Sequence, residues 1–130
     1  MKPRAVLLLA ALAFVAGCSA QTPKDDNALA CDSFRRHIGD TGQAFTDLGK
    51  GTITVADAVK SMQSGQKNAT DYASFAHGTV QASLTTVADD LGRIRVAMIA
   101  QGEAGLTTPM ADGYVADIHA TDAACAAIKH

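Results

Sequence analysis

Apolar residues recur at intervals of three and four along most of the chain. The clearest series is Val80, Leu84, Val87, Leu91, Ile94 and Met98. This spacing keeps side chains on one face of a helix, so the pattern predicts an amphipathic helix. Three further stripes predict three more helices. They are Cys31, Phe34, Ile38, Thr41, Phe45 and Leu48; Val55, Val59, Met62, Ala69, Tyr72 and either Phe75 or Ala76; and Ala111, either Tyr114 or Val115, Ile118, Thr121, Cys125 and Ile128.

Residues suited to helix ends separate these stripes. Gly49-Lys50-Gly51 is typical of a helix C-terminus, and Thr54 with Asp57 is typical of the next N-terminus. His77-Gly78 indicates the second break, and Thr108-Pro109 opens the fourth helix after a loop at 102–107.

The first helix contains a possible break near Asp40. Gly39 and Gly42 lie inside it, and Asp40 with Gln43 resembles a capping box. The unbroken register from Ile38 to Phe45 favours one helix, kinked or straight.

Four helices with short connections predict an all-α fold, an up-down-up-down four-helix bundle. In that topology the start of helix 1 lies beside the end of helix 4. Cys31 and Cys125 occupy those two ends, both on apolar stripes. The periodicity and the cysteine positions therefore predict the same geometry.

The first 18 residues have the pattern of an export signal. A basic start, Met1 to Arg4, precedes about a dozen apolar residues, which are too few for a comfortable membrane span. Val15-Ala16-Gly17-Cys18 then resembles the lipobox of bacterial lipoproteins. The resemblance implies cleavage before Cys18 and a diacylglyceryl group, with fatty acids such as palmitate, on its sulfur. We therefore expect a removed signal peptide at 1–17, a lipidated polar tether at 18–27 and a helical domain at 28–130.

Export also changes the interpretation of the other two cysteines. Outside the cytoplasm a pair of cysteines forms a disulfide by default. We therefore predict a bridge between Cys31 and Cys125. Such a bridge would support a domain that has few bulky residues and no tryptophan.

The charge of the chain argues against nucleic acid as a partner. Removing Lys2 and Arg4 from 11 basic residues leaves 9 against 13 acidic ones, a net charge of −4. An acidic protein lacks the electrostatic attraction that nucleic acid and anionic lipid require.

Catalytic motifs are absent from the sequence. Asp47 to Thr52 resembles a phosphate-binding loop, but Ala44 and Gly51 occupy positions that need Gly and Ser or Thr. Asp89 and Arg93 are spaced for an ion pair on the solvent side of helix 3. We expect neither an enzyme nor a cofactor.

Two histidines are the weak candidates for a metal site. His37 and His119 are next to stripe residues of helices 1 and 4 and could meet across that seam, where two imidazoles could start a zinc or copper site. No third ligand is evident. The alternative is a pair of half-exposed histidines at the edge of the core.

The predicted topology places loops 49–53 and 102–107 at the end away from the membrane. Lys50, Ile53, Glu103 and Leu106 are the candidate partner-binding residues there, because loops on a rigid scaffold often carry function. Alternatively, Ile53 staples helix 2 and Leu106 plugs the bundle end.

These observations predict a non-catalytic lipoprotein on the extracytoplasmic face of a cell membrane or outer membrane. It would be held by the lipid on Cys18 and would bind an envelope protein or component. A phage-encoded protein that guards the host envelope is one version of this role. The alternative is a carrier of a metal or small ligand between the helices.

Overall fold

The computed structural model of the chain describes residues 22 to 128. The predicted signal peptide and Cys18 lie outside the described residues. Residues 22 to 128 form an all-α fold without a strand, which confirms the expected fold class and the four helices. The helices are α1, Pro23–Gly49; α2, Val55–Phe75; α3, Gly78–Gln101; and α4, Thr108–Ala126, with a 3₁₀ turn at Gly102–Gly105.

Helix α1 begins at Pro23, inside the stretch expected to be a tether. The Thr22 hydroxyl accepts a hydrogen bond from the Asp25 N–H at 3.2 Å, and proline fits the first turn because its missing N–H has no helical partner there. Asp25 and Asp26 add negative charge at the positive end of the helix dipole. The helix then continues without a break through Asp40 to Gly49.

The predicted start of α2 is confirmed. The Thr54 hydroxyl accepts from the Asp57 N–H at 3.1 Å, while the Asp57 carboxylate accepts from the Thr54 N–H at 3.4 Å. This reciprocal pair is a capping box, which satisfies two of the donors that a helix start leaves free. Thr107 caps α4 in a similar way through the Met110 N–H.

Helix α3 is the centre of the core. It packs along both α2 and α4, while α1 packs mainly along α2. All six residues of its predicted stripe are buried, because neighbouring helices cover that face. The stripe residues are Val80, Leu84, Val87, Leu91, Ile94 and Met98.

Gly65 lies where α2 meets both α1 and α3. A Cβ atom at this position would lie 2.5 Å from the Thr41 hydroxyl oxygen of α1 and 3.2 Å from a Leu91 methyl group of α3. The missing side chain therefore lets three helices approach one another.

Helices α1 and α4 meet at two places. The Cys31–Cys125 disulfide joins them with a Cα–Cα distance of 5.7 Å, as predicted. Farther along, the rings of Phe45 and Tyr114 pack with their centroids 5.3 Å apart. The remaining contact between these helices is slight, so the disulfide carries much of their connection.

Candidate functional site

The four residues predicted for a binding tip differ in exposure. Lys50 and Glu103 are exposed, whereas Ile53 and Leu106 are half-buried and pack against the core. The two apolar side chains therefore cover the end of the core, as the alternative interpretation held. The binding role of the tip stays a prediction.

The structure gives His37 contacts on α1 and α2. Its Nδ1 atom lies 2.8 Å from the Ser33 carbonyl oxygen and 2.7 Å from the Tyr72 hydroxyl oxygen. His119 is exposed on α4. Within residues 22 to 128, no three His, Cys, Asp or Glu side chains are grouped to hold a metal ion. The described residues therefore supply no third ligand for a site at His37 and His119.

A buried carboxylate lies where α3 faces α4. Asp90 is 7% exposed, and its Oδ1 atom accepts a hydrogen bond from the guanidinium of Arg93. The predicted pairing of Arg93 with Asp89 is therefore wrong. Asp89 is exposed, where water solvates its charge, whereas the enclosed charge of Asp90 needs a partner.

Two further groups surround Asp90. Burial raises the pKa of its carboxyl group to about 6, the neighbouring Asp117 carboxyl of α4 raises the pKa as well, and Arg93 opposes the rise. Burial also raises the pKa of the Tyr114 hydroxyl, and the charge of Asp90 adds to this effect. We call Asp90, Arg93, Tyr114 and Asp117 the acidic centre.

Two polar atoms of the acidic centre are enclosed without a hydrogen-bond partner among residues 22 to 128. They are Oδ2 of Asp90 and the hydroxyl oxygen of Tyr114. The Asp117 carboxyl can bond to Asp90 only when one of the two acids carries a proton. Asp90 therefore keeps its proton up to a pH of about 6. It lies beside a cavity of about 240 Å³ that Asp90, Arg93 and Met110 help to line.

The solvent side of α3 exposes large apolar side chains, whereas the side that faces α4 buries a carboxylate. Val96 is 63% exposed and Ile99 is 67% exposed, the two highest values among the large apolar side chains described. A groove of about 720 Å³ runs beside Val96 and is lined in part by Gly92, Arg95 and Ala100. We call Gly92, Arg95, Val96, Ile99 and Ala100 the α3 outer face.

Both features have a signal in the sequence that lies outside the four apolar stripes. Val96 and Ile99 are apolar but fall outside the series that ends Leu91, Ile94, Met98. Asp90 comes three residues after Val87, which puts a charged residue on the buried side of α3. Residues that disagree with the stripe therefore mark both features.

Comparison with known proteins gives no relative. No family model, curated protein or solved structure matches the chain. None of the helices within residues 22 to 128 has the length and hydrophobicity to cross a bilayer.

Proposed function

We propose that this protein is a lipid-anchored, extracytoplasmic binding module of a bacterial cell envelope. The observation that carries the proposal is the disulfide between Cys31 and Cys125. Disulfides form and persist in oxidising compartments and are rare in the cytoplasm. The bridge therefore supports export from the cytoplasm, which the first 18 residues also predict.

The position of α1 supports a short link between anchor and domain. Pro23, the first residue of α1, is the fifth residue after Cys18. Five residues extend at most about 17 Å. A domain held by lipid on Cys18 would therefore lie close to the bilayer surface of the cell membrane or outer membrane.

The proposed arrangement of the helices is up-down-up-down. Asn27 of α1 bonds to His77, which follows the end of α2, whereas Thr41, farther along α1, lies against Gly65 in the middle of α2. Residues later in α1 therefore contact positions earlier in the chain segment that contains α2. This is the contact pattern of antiparallel helices. The connections of two to six residues also favour neighbouring helices of opposite direction.

Fatty-acid labelling tests the anchor. We expect the full chain, expressed in a bacterium, to incorporate labelled palmitate and to fractionate with membranes, whereas Cys18→Ser removes both properties. Ser64→Ala is the control, because this exposed position of α2 leaves the lipobox and the bridge intact. Palmitate in Cys18→Ser, or none in the wild-type chain, would refute the anchor.

A binding role, and not catalysis, is supported by the character of the exposed surface. The α3 outer face combines exposed aliphatic side chains with a cation, which is a composition common in protein interfaces. Lys50 and Glu103 at the predicted tip are a second surface for the same role.

A small-ligand carrier is the second candidate, favoured by the unbonded atoms of Asp90 and Tyr114. Calorimetric titration of residues 19 to 130 with Zn²⁺ and Cu²⁺ tests its metal form. Saturable uptake that Asp90→Asn abolishes, with Asp89→Asn as the control, would favour the carrier. The binding-module proposal expects no such uptake.

A further inference from the structure

The outer face of α3 exposes apolar surface that the domain itself does not cover. Val96 and Ile99 are about one helical turn apart, and both are exposed on α3 outside the buried stripe. Exposed apolar residues are ordinary when they are scattered singly, but a contiguous patch usually marks an interaction site. These two side chains form such a patch with Ala100, which is also exposed.

Part of this patch borders a groove, which Val96 and Ala100 line and Ile99 does not. Gly92 and Ala100 flank Val96 along the helix, and the neighbouring space of about 720 Å³ extends to Gln66 of α2. The groove follows α3 from Asp89 to Gln101, which is about 18 Å at the helical rise per residue. That length accommodates about three turns of another helix.

Arg95 supplies an unmatched charge at the same place. Its side chain lines the groove, and its Nε atom is buried without a hydrogen-bond partner among the described residues. No carboxylate within residues 22 to 128 lies in ion-pair range of its guanidinium, in contrast to Arg93, which bonds to Asp90. A buried donor without an acceptor is unfavourable, and a carboxylate is the acceptor that matches a guanidinium best.

We propose that the α3 outer face binds an amphipathic helix of a partner protein, with aliphatic side chains over Val96 and Ile99 and a carboxylate on Arg95. The inference rests on the proposed binding role and names its surface and the chemistry of its partner. The helix-in-groove mode supplies aliphatic anchors at intervals of three and four residues. The carboxylate would match the charge of the Arg95 guanidinium, which no carboxylate within residues 22 to 128 pairs with.

A pair of designed peptides tests the proposal. Both are helical, with about 16 residues and leucines spaced i, i+3, i+4 and i+7. One carries glutamates beside the leucines and the other carries lysines. Fluorescence anisotropy measures binding to residues 19 to 130, which include every core residue described, and amide chemical shifts locate the site. We expect the acidic peptide to bind at least about tenfold more tightly and to shift residues 92 to 101.

Substitutions identify the groups responsible. Val96→Ser with Ile99→Ser should weaken binding of the acidic peptide about tenfold or more, whereas Val115→Ser, at another exposed valine on α4, should not. Arg95→Glu should reverse the preference in favour of the basic peptide. The matched control is Arg35→Glu, which makes the same charge change on the exposed side of α1.

Several results would overturn the inference. They are equal binding of both peptides, binding of neither, or shifts outside residues 92 to 101. Evidence for another occupant would also overturn the inference. A second copy of the chain would give a dimer that Val96→Ser with Ile99→Ser dissociates. Lipid would give binding to phosphatidylglycerol vesicles that the same double variant loses. Palmitate on Cys18 without peptide binding would refute this inference but support the lipid anchor. Peptide binding without palmitate would support this inference but refute the lipid anchor.

Discussion

Two regions of the molecule differ in where they place polar and apolar side chains. One surrounds the disulfide bridge, and the other is the second half of α3. Around the bridge, Cys31 and Cys125 are buried and joined, and polar groups are paired with polar groups. Asn27 accepts from the His77 N–H at 2.7 Å and donates to its carbonyl oxygen at 3.3 Å. In the second half of α3, a carboxylate is buried and aliphatic side chains are exposed.

The contrast distinguishes residues that stabilise the fold from residues whose placement the stability of the fold does not explain. Near the bridge, the cysteines are buried and Asn27 pairs with His77, so folding explains these residues. Asp90, Val96 and Ile99 each contradict the pattern that stabilises a helix against a core. Departures of this kind are expected at functional sites, where another requirement outweighs stability.

The largest effect expected is from removing the bridge. The cysteines are 94 residues apart, and releasing a loop of that length restores unfolded-state entropy equivalent to about 4–5 kcal/mol. Cys31→Ala with Cys125→Ala should lower the free energy of unfolding, measured by urea denaturation, by a large part of that amount. Reduction of the wild-type domain should have a comparable effect. A loss below about 1 kcal/mol would show that helix packing, and not the bridge, holds α1 to α4.

Asp90 should make stability depend on pH. Since its folded pKa is raised from 3.8 to about 6, the protonated acid stabilises the fold below about pH 4, and this contribution is lost as pH rises through about 6. Asp90→Asn should remove that decline, which amounts to at most about 3 kcal/mol, and should raise the melting temperature at pH 7.5.

Asp89→Asn is the matched control for Asp90, because it changes the neighbouring but exposed acid. Melting curves from about pH 4 to pH 8 compare the three proteins. If Asp90→Asn and Asp89→Asn give the same profile as the wild type, the acidic centre does not titrate as proposed.

Gly105 should tolerate no side chain, because the 3₁₀ turn lies against the second half of α3. A Cβ atom there would collide with the backbone of Ala97 and Met98. Gly105→Ala should therefore destabilise the domain by about 1–3 kcal/mol. Gly39→Ala, where no atom lies within 4 Å, should instead stabilise it by about 1 kcal/mol. Denaturant midpoints that move in the same direction for both variants would contradict the described packing.

The smallest effect on stability belongs to the α3 outer face. Val96→Ser with Ile99→Ser should change the free energy of unfolding by less than about 0.5 kcal/mol per substitution, because both side chains are already largely in water. Val87→Ser is the internal comparison, since that valine is fully buried on the same helix and should cost several-fold more. Equal losses at Val96 and Val87 would mean that the outer face is part of the core.

The sequence by itself determined the features that depend on local chemistry. Thr54 and Asp57 form the predicted cap because their partners are three residues away, and the stripe from Val80 to Met98 is buried because helical periodicity aligns it. The pairing of Cys31 with Cys125 was also predictable, since only two cysteines follow the expected lipobox. The cap and the stripe needed only near neighbours in the chain, and the cysteine pairing needed only the expectation of export.

Tertiary structure alone decided which polar and apolar residues depart from the pattern. Arg93 bonds to Asp90 and not to Asp89 because α4 encloses one of the two adjacent acids and leaves the other in water. His37 contacts Tyr72 because α1 packs mainly on α2. Val96 and Ile99 remain exposed because α2 and α4 cover other sides of α3. Each outcome depends on where a distant helix lies, and periodicity within one helix carries no information about that position.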